Sequence, residues 1–209
     1  GVHRTKLSEK FKKVDIKYNP RKLDINHELV LVVDGKNMSE NHTALFAYDH
    51  MSKMPIGFLW GGNENKERWG KFFFEIRKRY KVYALVSDGQ KGIKSAISGD
   101  IIHQRCIFHI MSFCLGRLTR SPKTEAGKEL RKIVRWIPGI WTESQKELWE
   151  SSFCDWEKKY HSFLCEKTVV SKRYVHRNLR AVRSHLKNAL PDMFRYISDV
   201  NIPRTTNEV

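Results

Sequence analysis

Hydrophobic and polar positions along the chain fall into two regimes. From residue 29, three short apolar runs (29–34, 43–48 and 55–60), rich in β-branched and aromatic residues, are separated by stretches containing Gly, Asn, Asp and Ser. That spacing predicts three successive strands in an antiparallel meander. Over 64–80 the period lengthens: Trp69, Phe72, Phe73, Ile76 and Tyr80 recur at the spacing of one buried helix face, with Asn63 or Asn65 placed as its cap. A fourth strand over 82–87, a short helix over 90–97 ended by Gly99, and a fifth strand over 101–107 complete a β-β-β-α-β-α-β order.

Beyond residue 110 the strand pattern stops. Segments 111–120, 122–136, 143–167 and 171–190 have a helical period, with Pro122 suited to a first turn and Thr142 and Gln145 forming a capping box. Trp149, Phe153, Trp156, Tyr160 and Phe163 make one aromatic stripe, which reads first as a core face, although Trp149 and Trp156 could also stack on an unpaired base. In the last segment Val175, Leu179, Val182, Leu186 and Ala189 share one face, and Arg173, Arg177, Arg180 and Lys187 share another. The basic face is either solvated or laid along a phosphate backbone.

Charge narrows the choice of partner. Lys and Arg number 39 against 23 Asp and Glu, a net charge of +16, which is more than solubility requires and fits a nucleic acid. No run of about 18 apolar residues and no signal-peptide pattern is present, which points to a soluble, cytoplasmic or nucleoid-associated protein with no membrane partner. Residues 1–28 hold a concentration of Lys and Arg without an apolar period and read as a basic arm or linker. The four cysteines, Cys106, Cys114, Cys154 and Cys165, contain no Cys-x-x-Cys pair and are expected to be reduced. The start at Gly1 without Met and the polar stop at Val209 suggest a fragment of a longer protein.

Within this basic chain, two carboxylates stand out. Asp34 closes Leu31-Val32-Val33-Asp34-Gly35 and Asp88 closes Leu85-Val86-Ser87-Asp88-Gly89, so each is expected to leave a buried strand into a turn. An Asp-Gly turn after a strand is common. Two of them, on strands one and four of this order, are a candidate site for divalent metal, provided that strand four packs beside strand one. Asp49, at the end of the second strand, competes as an active-site acid, although its neighbour His50 makes a local turn contact an equal reading. Cys106 and His109 could be zinc ligands, but nothing is placed to complete four-coordination. No nucleophile arrangement, phosphate loop or dinucleotide fingerprint is found.

The ordered set Val33-Asp34-Gly35, Val86-Ser87-Asp88-Gly89-x-x-Gly92-Ile93, Arg105-Cys106-x-x-His109 and Arg204-Thr205-Thr206-Asn207 resembles the successive motifs of the Mutator-like DDE transposases and their bacterial insertion-sequence relatives. The resemblance implies an α/β fold with a ribonuclease H-like mixed sheet flanked by helices over 29–110. It further implies an all-α insertion over 111–200 and the start of the third-acid segment over 201–209. Asp34 and Asp88 would be the first two catalytic acids and the metal ligands for two Mg²⁺ or Mn²⁺ ions. The third acid would fall just beyond Val209, with Glu208 as a fallback; lacking it, the fragment would bind metal weakly and show little activity. His109 would be an auxiliary residue contacting the scissile phosphate or ordering the acids, against a packing role, and Cys106 a small buried side chain. Arg173, Arg177, Arg180 and Lys187 would bind DNA. The implied activity is cleavage at transposon ends and joining to target DNA, by a protein that self-associates in a synaptic complex. Two alternatives are a non-catalytic DNA-binding domain of the same fold and a ribonuclease H-like nuclease.

Overall fold

A computed structural model describes residues 27–39, 42–97 and 99–207. The basic arm expected over 1–28 therefore falls almost wholly outside the described residues, as does Glu208. Five strands form one mixed sheet in the order β3-β2-β1-β4-β5. They are β1 (Glu28–Ser39), β2 (His42–Asp49), β3 (Met54–Leu59), β4 (Lys81–Ser87) and β5 (Ile102–Arg105). The first three make the expected antiparallel meander; β4 lies parallel to β1, and β5 parallel to β4.

β1 is longer than its apolar run. It continues past Asp34 and Gly35 to Ser39, because β2 keeps pairing with it: Asp34 is opposite Phe46, Gly35 opposite Leu45 and Asn37 opposite Thr43. Asp34 is thus inside a strand rather than in the turn that its glycine suggested. What ends near Asp34 is the other ladder, whose last described pair between β1 and β4 is Val32 with Val86.

Alternation along the strands divides the interior. Leu29, Leu31 and Val33 pack with Trp69, Phe72, Phe73 and Ile76 of α1 (Lys66–Arg77). Asn65 caps that helix by accepting from the Arg68 amide at 2.9 Å. Val30 and Val32 face the other way, with Ala84, Val86 and Ile202. The short α2 (Lys91–Lys94) follows β4.

After β5 the regular elements are helices: α3 (Ile107–Leu118), α4 (Glu125–Trp136), α5 (Glu143–Lys159), α6 (His161–Cys165), α7 (Arg177–Met193) and α8 (Arg195–Ser198). α3 begins earlier than 111, directly from Cys106. α4 starts after Pro122, where Thr124 caps it. The capping box of Thr142 and Gln145 is formed. The 143–167 segment breaks at Tyr160, and the chain then turns back on itself, with Thr168 N–H donating to Arg173 O at 2.9 Å and Val175 N–H to Glu166 O at 3.0 Å, so α7 begins only at Arg177. The aromatic stripe lies in the core of this layer, where Trp149 and Trp156 each donate their indole N–H at 2.9 Å, to Ile133 O and Ala126 O respectively. Both rings are satisfied packing residues.

The helical layer is tied to the edge strand β5. Gln104 donates to Met193 O at 2.9 Å and accepts from Tyr196 N–H at 3.2 Å. His103 Nδ1 stands 3.4 Å from Asp192, which also pairs with Lys94. Burial would raise the Asp192 carboxyl, but these two partners outweigh it and bring it down to about 2.

Candidate active site

Two residues beyond the Val32–Val86 pair come Asp34 and Asp88, so parallel pairing carries them to neighbouring positions on the face shared by Val32 and Val86. Asp34 keeps β-structure, whereas Asp88 has just left β4. Burial pushes the Asp34 carboxyl above its ordinary value; His109 works against that shift and Asp88 adds to it. Asp34 is half-buried, with the Asp88 carboxylate as a neighbouring negative charge.

The Asp88 turn is tightly built. Gln90 N–H donates to Asp88 Oδ1 at 2.9 Å, and Gly89 N–H donates to Ser87 Oγ at 3.2 Å. Gly89 has φ +82°, and a Cβ there would stand 2.0 Å from Arg105 Nε. Arg105 is only 7% exposed and lies under the turn, its Nη2 at 3.5 Å from both Asp88 O and His185 Nε2, with Nε unpartnered.

Glu64 is the carboxylate that sequence reasoning missed. It sits in the loop before α1, and its Oε1 accepts from Trp69 Nε1 at 2.9 Å while Oε2 accepts from Gln90 Nε2 at 3.2 Å. A Cβ on Gly35 would lie 2.6 Å from Glu64 Oε2, so the carboxylate packs directly on the residue after Asp34. Burial pushes the Glu64 carboxyl up; the Trp69 N–H opposes this, and the charges of Asp88 and Asp34 reinforce it. Nothing in the local sequence marks Glu64, since besides Trp69, five residues on, its neighbours Gln90 and Gly35 come from two distant segments.

The Cys-x-x-His pair closes the other side. Cys106 is fully buried at the start of α3, and its sulfur accepts from Thr206 N–H at 3.3 Å and from Thr206 Oγ1 at 3.5 Å. Ile107 N–H donates to Arg204 O at 2.9 Å. Cys106 therefore does more than fill space, because it staples the Arg204-Thr205-Thr206 segment to the sheet end. Burial would raise its thiol, but hydrogen bonds with His109 and Thr206 bring it below the usual value. His109, one turn into α3, has its imidazole raised by Cys106 first, against burial, and further by Asp88 and Asp34. Its Nδ1 stands 3.5 Å from Thr206 Oγ1.

Hard carboxylate oxygens suit Mg²⁺ or Mn²⁺, and Mg²⁺ is commonly held by one or two carboxylates together with substrate phosphates. Asp34 and Asp88 match that donor chemistry, although among the described residues no group of three or more His, Cys, Asp or Glu is arranged to hold a metal ion.

The remaining candidates separate. Asp49 lies toward the opposite end of β1, paired with Leu31, and is fully buried under donors from His27 (2.8 Å), Val30 N–H (3.0 Å) and Ser52 N–H (2.8 Å). It braces a turn away from the acid pair. Of the basic face, Arg173, Arg177 and Lys187 are exposed, Lys187 lying 3.4 Å from Glu157. Arg180 instead donates to Leu164 O at 3.0 Å with its guanidinium 3.6 Å above the Tyr174 ring.

No described helix is long and apolar enough to cross a membrane. A family model described as "Transposase, Mutator family" matches residues 33–169. That span includes Asp34, Glu64, Asp88, Cys106 and His109. A comparison with curated proteins found no match.

Proposed function

This chain belongs to the Mutator family of transposases, and on that premise we propose that it is a catalytic domain performing metal-dependent DNA strand cleavage at transposon ends and strand transfer to target DNA. In this reading the sheet is a ribonuclease H-like core and the helices after β5 are an all-α insertion within it. The observation that carries the reading is the parallel register of β1 and β4, which brings Asp34 and Asp88 side by side.

Asp34 and Asp88 would hold Mg²⁺ or Mn²⁺, and the third acid would follow the Thr205-Thr206-Asn207 segment, whose Thr206 stands beside His109. When bound, the ions would stabilise the attacking and leaving oxygens of an in-line phosphoryl displacement, first by water and then by the freed 3′-hydroxyl. The chain's own part is to fix and orient. The ladder sets the spacing of the two acids, and the Cys106–Thr206 contact holds the third segment against them. His109, its imidazole raised toward the protonated state, would donate to the scissile phosphate or order the acids. Exposed Arg173, Arg177 and Lys187 would hold DNA, with Arg180 reaching it only by giving up its contacts with Leu164 and Tyr174. The expected setting is cytoplasmic or nucleoid-associated, with copies of the protein assembling around two DNA ends.

Asp34→Asn and Asp88→Asn in the natural full-length protein test this. Both variants are expected to bind transposon-end DNA as before while losing cleavage by a factor of about 10³ or more, since the chemistry rests on a cation site that neither can hold. Retained cleavage in either variant would sink the assignment. DNA binding without cleavage by the unsubstituted protein would identify a binding domain that keeps the fold alone, and cleavage without joining would identify a nuclease.

A further inference from the structure

Trp69 is a fully buried ring at the foot of the α1 core, and its indole N–H needs an acceptor. A backbone carbonyl serves Trp149 and Trp156. Trp69 uses a carboxylate instead, and a half-buried carboxylate is a costly acceptor where a neutral one would do. The same carboxylate takes the side-chain amide of Gln90, whose backbone N–H holds Asp88. Its oxygens also fill the space that a side chain on Gly35 would need, immediately after Asp34. A single group thus braces both acid-bearing segments, from β1 on one side and from the Asp88 turn on the other.

We propose that Glu64 is a positioning residue of the candidate site: it locks the Asp34–Gly35 step and the Asp88–Gln90 turn into one fixed relation, and its charge strengthens the attraction of the pair for divalent cations. It acts through its neighbours. Trp69 and Gln90 tether its two oxygens, and its part is orientation and field. The inference rests on the proposed role of Asp34 and Asp88 in holding metal.

The test measures Mn²⁺ binding by calorimetry, and the Mg²⁺ dependence of strand cleavage, in the natural full-length protein. Glu64→Gln keeps an oxygen for Trp69 but removes the charge, and is expected to weaken Mn²⁺ binding and raise the Mg²⁺ midpoint by about tenfold, the usual size of an outer-shell effect. The rate at saturating Mg²⁺ should fall by no more than about threefold, because the acids themselves are intact. Gln90→Ala, which removes an exposed side chain and leaves the core alone, should raise the midpoint in the same direction by about threefold. A residue that merely packs would lower the melting temperature and leave both midpoints where they were; that result would overturn the proposal. Asp34→Asn serves as the reference. If it too leaves Mn²⁺ binding unchanged, the metal-site reading falls. If it abolishes binding while Glu64→Gln and Gln90→Ala leave the midpoint unmoved, only the role of Glu64 falls.

Discussion

Asp34–Gly35 within β1 and Asp88–Gly89 just after the neighbouring β4 are one dipeptide used twice, yet each glycine is required for a different reason. Gly89 has a left-handed backbone at φ +82° and leaves room for a buried arginine beneath it. Gly35 lies in a paired strand, and what it makes room for is the Glu64 carboxylate. One acid is therefore backed by a fixed cation and the other by a further anion. The comparison teaches that a side chain can be placed either by the conformation of the next residue or by the vacancy it leaves, and the two should respond differently to the same substitution.

The largest effect is expected at Gly89. Alanine there must hold a left-handed φ, costing about 1–2 kcal/mol, and must also displace the buried Arg105 guanidinium, so Gly89→Ala should lose about 3 kcal/mol in denaturant unfolding. A loss below about 1 kcal/mol would show that the turn relaxes freely and that Arg105 is not what fixes it.

A second consequence of the buried cation falls on His185, stacked on Phe113 at 4.1 Å between ring centres. Burial first, and then the Arg105 charge, bring its imidazole down from 6.5 to about 4. The unfolded chain would take up a proton below about pH 6.5 while the folded protein resists until near pH 4, so stability should be full above that window and fall by up to about 3 kcal/mol as pH drops through it. His185→Gln should flatten the profile between those limits. An unchanged slope in that variant would place the acid sensitivity elsewhere.

How much of this was legible depended on how local the cause was. The order of strands and helices up to β5 follows from period alone, and so does the Thr142–Gln145 box, because neighbours in sequence make those contacts. The adjacency of Asp34 and Asp88 was a topological expectation that the parallel register of β1 and β4 supports. The strand beyond Gly35 was hidden because its pairing partner, not its own residues, keeps it extended. Glu64 was hidden more deeply. Its oxygens are held by Trp69 and Gln90 and press on Gly35, which is a relation among three segments that no window of sequence contains. In the sequence Cys106 reads as a small buried side chain, because the group that uses its sulfur lies a hundred residues away, at Thr206.

The smallest predicted effect separates the two glycines most sharply. Gly35→Ala brings a methyl to 2.6 Å from Glu64 Oε2, the far end of a side chain tethered by Trp69 and Gln90, and should cost about 1 kcal/mol as those tethers strain. Once Glu64→Ala has removed the carboxylate, the same Gly35→Ala should become neutral or stabilising by about 0.5 kcal/mol, because alanine suits a strand better than glycine does. The double-mutant cycle, read by denaturant unfolding, should therefore show a coupling of about 1.5 kcal/mol. No comparable rescue is available at Gly89, where trimming Arg105 to alanine relieves the crowding but leaves the left-handed φ in place. If Gly35→Ala costs the same with and without Glu64, the carboxylate is not what occupies that space, and the contrast between the two Asp-Gly pairs collapses into ordinary turn chemistry.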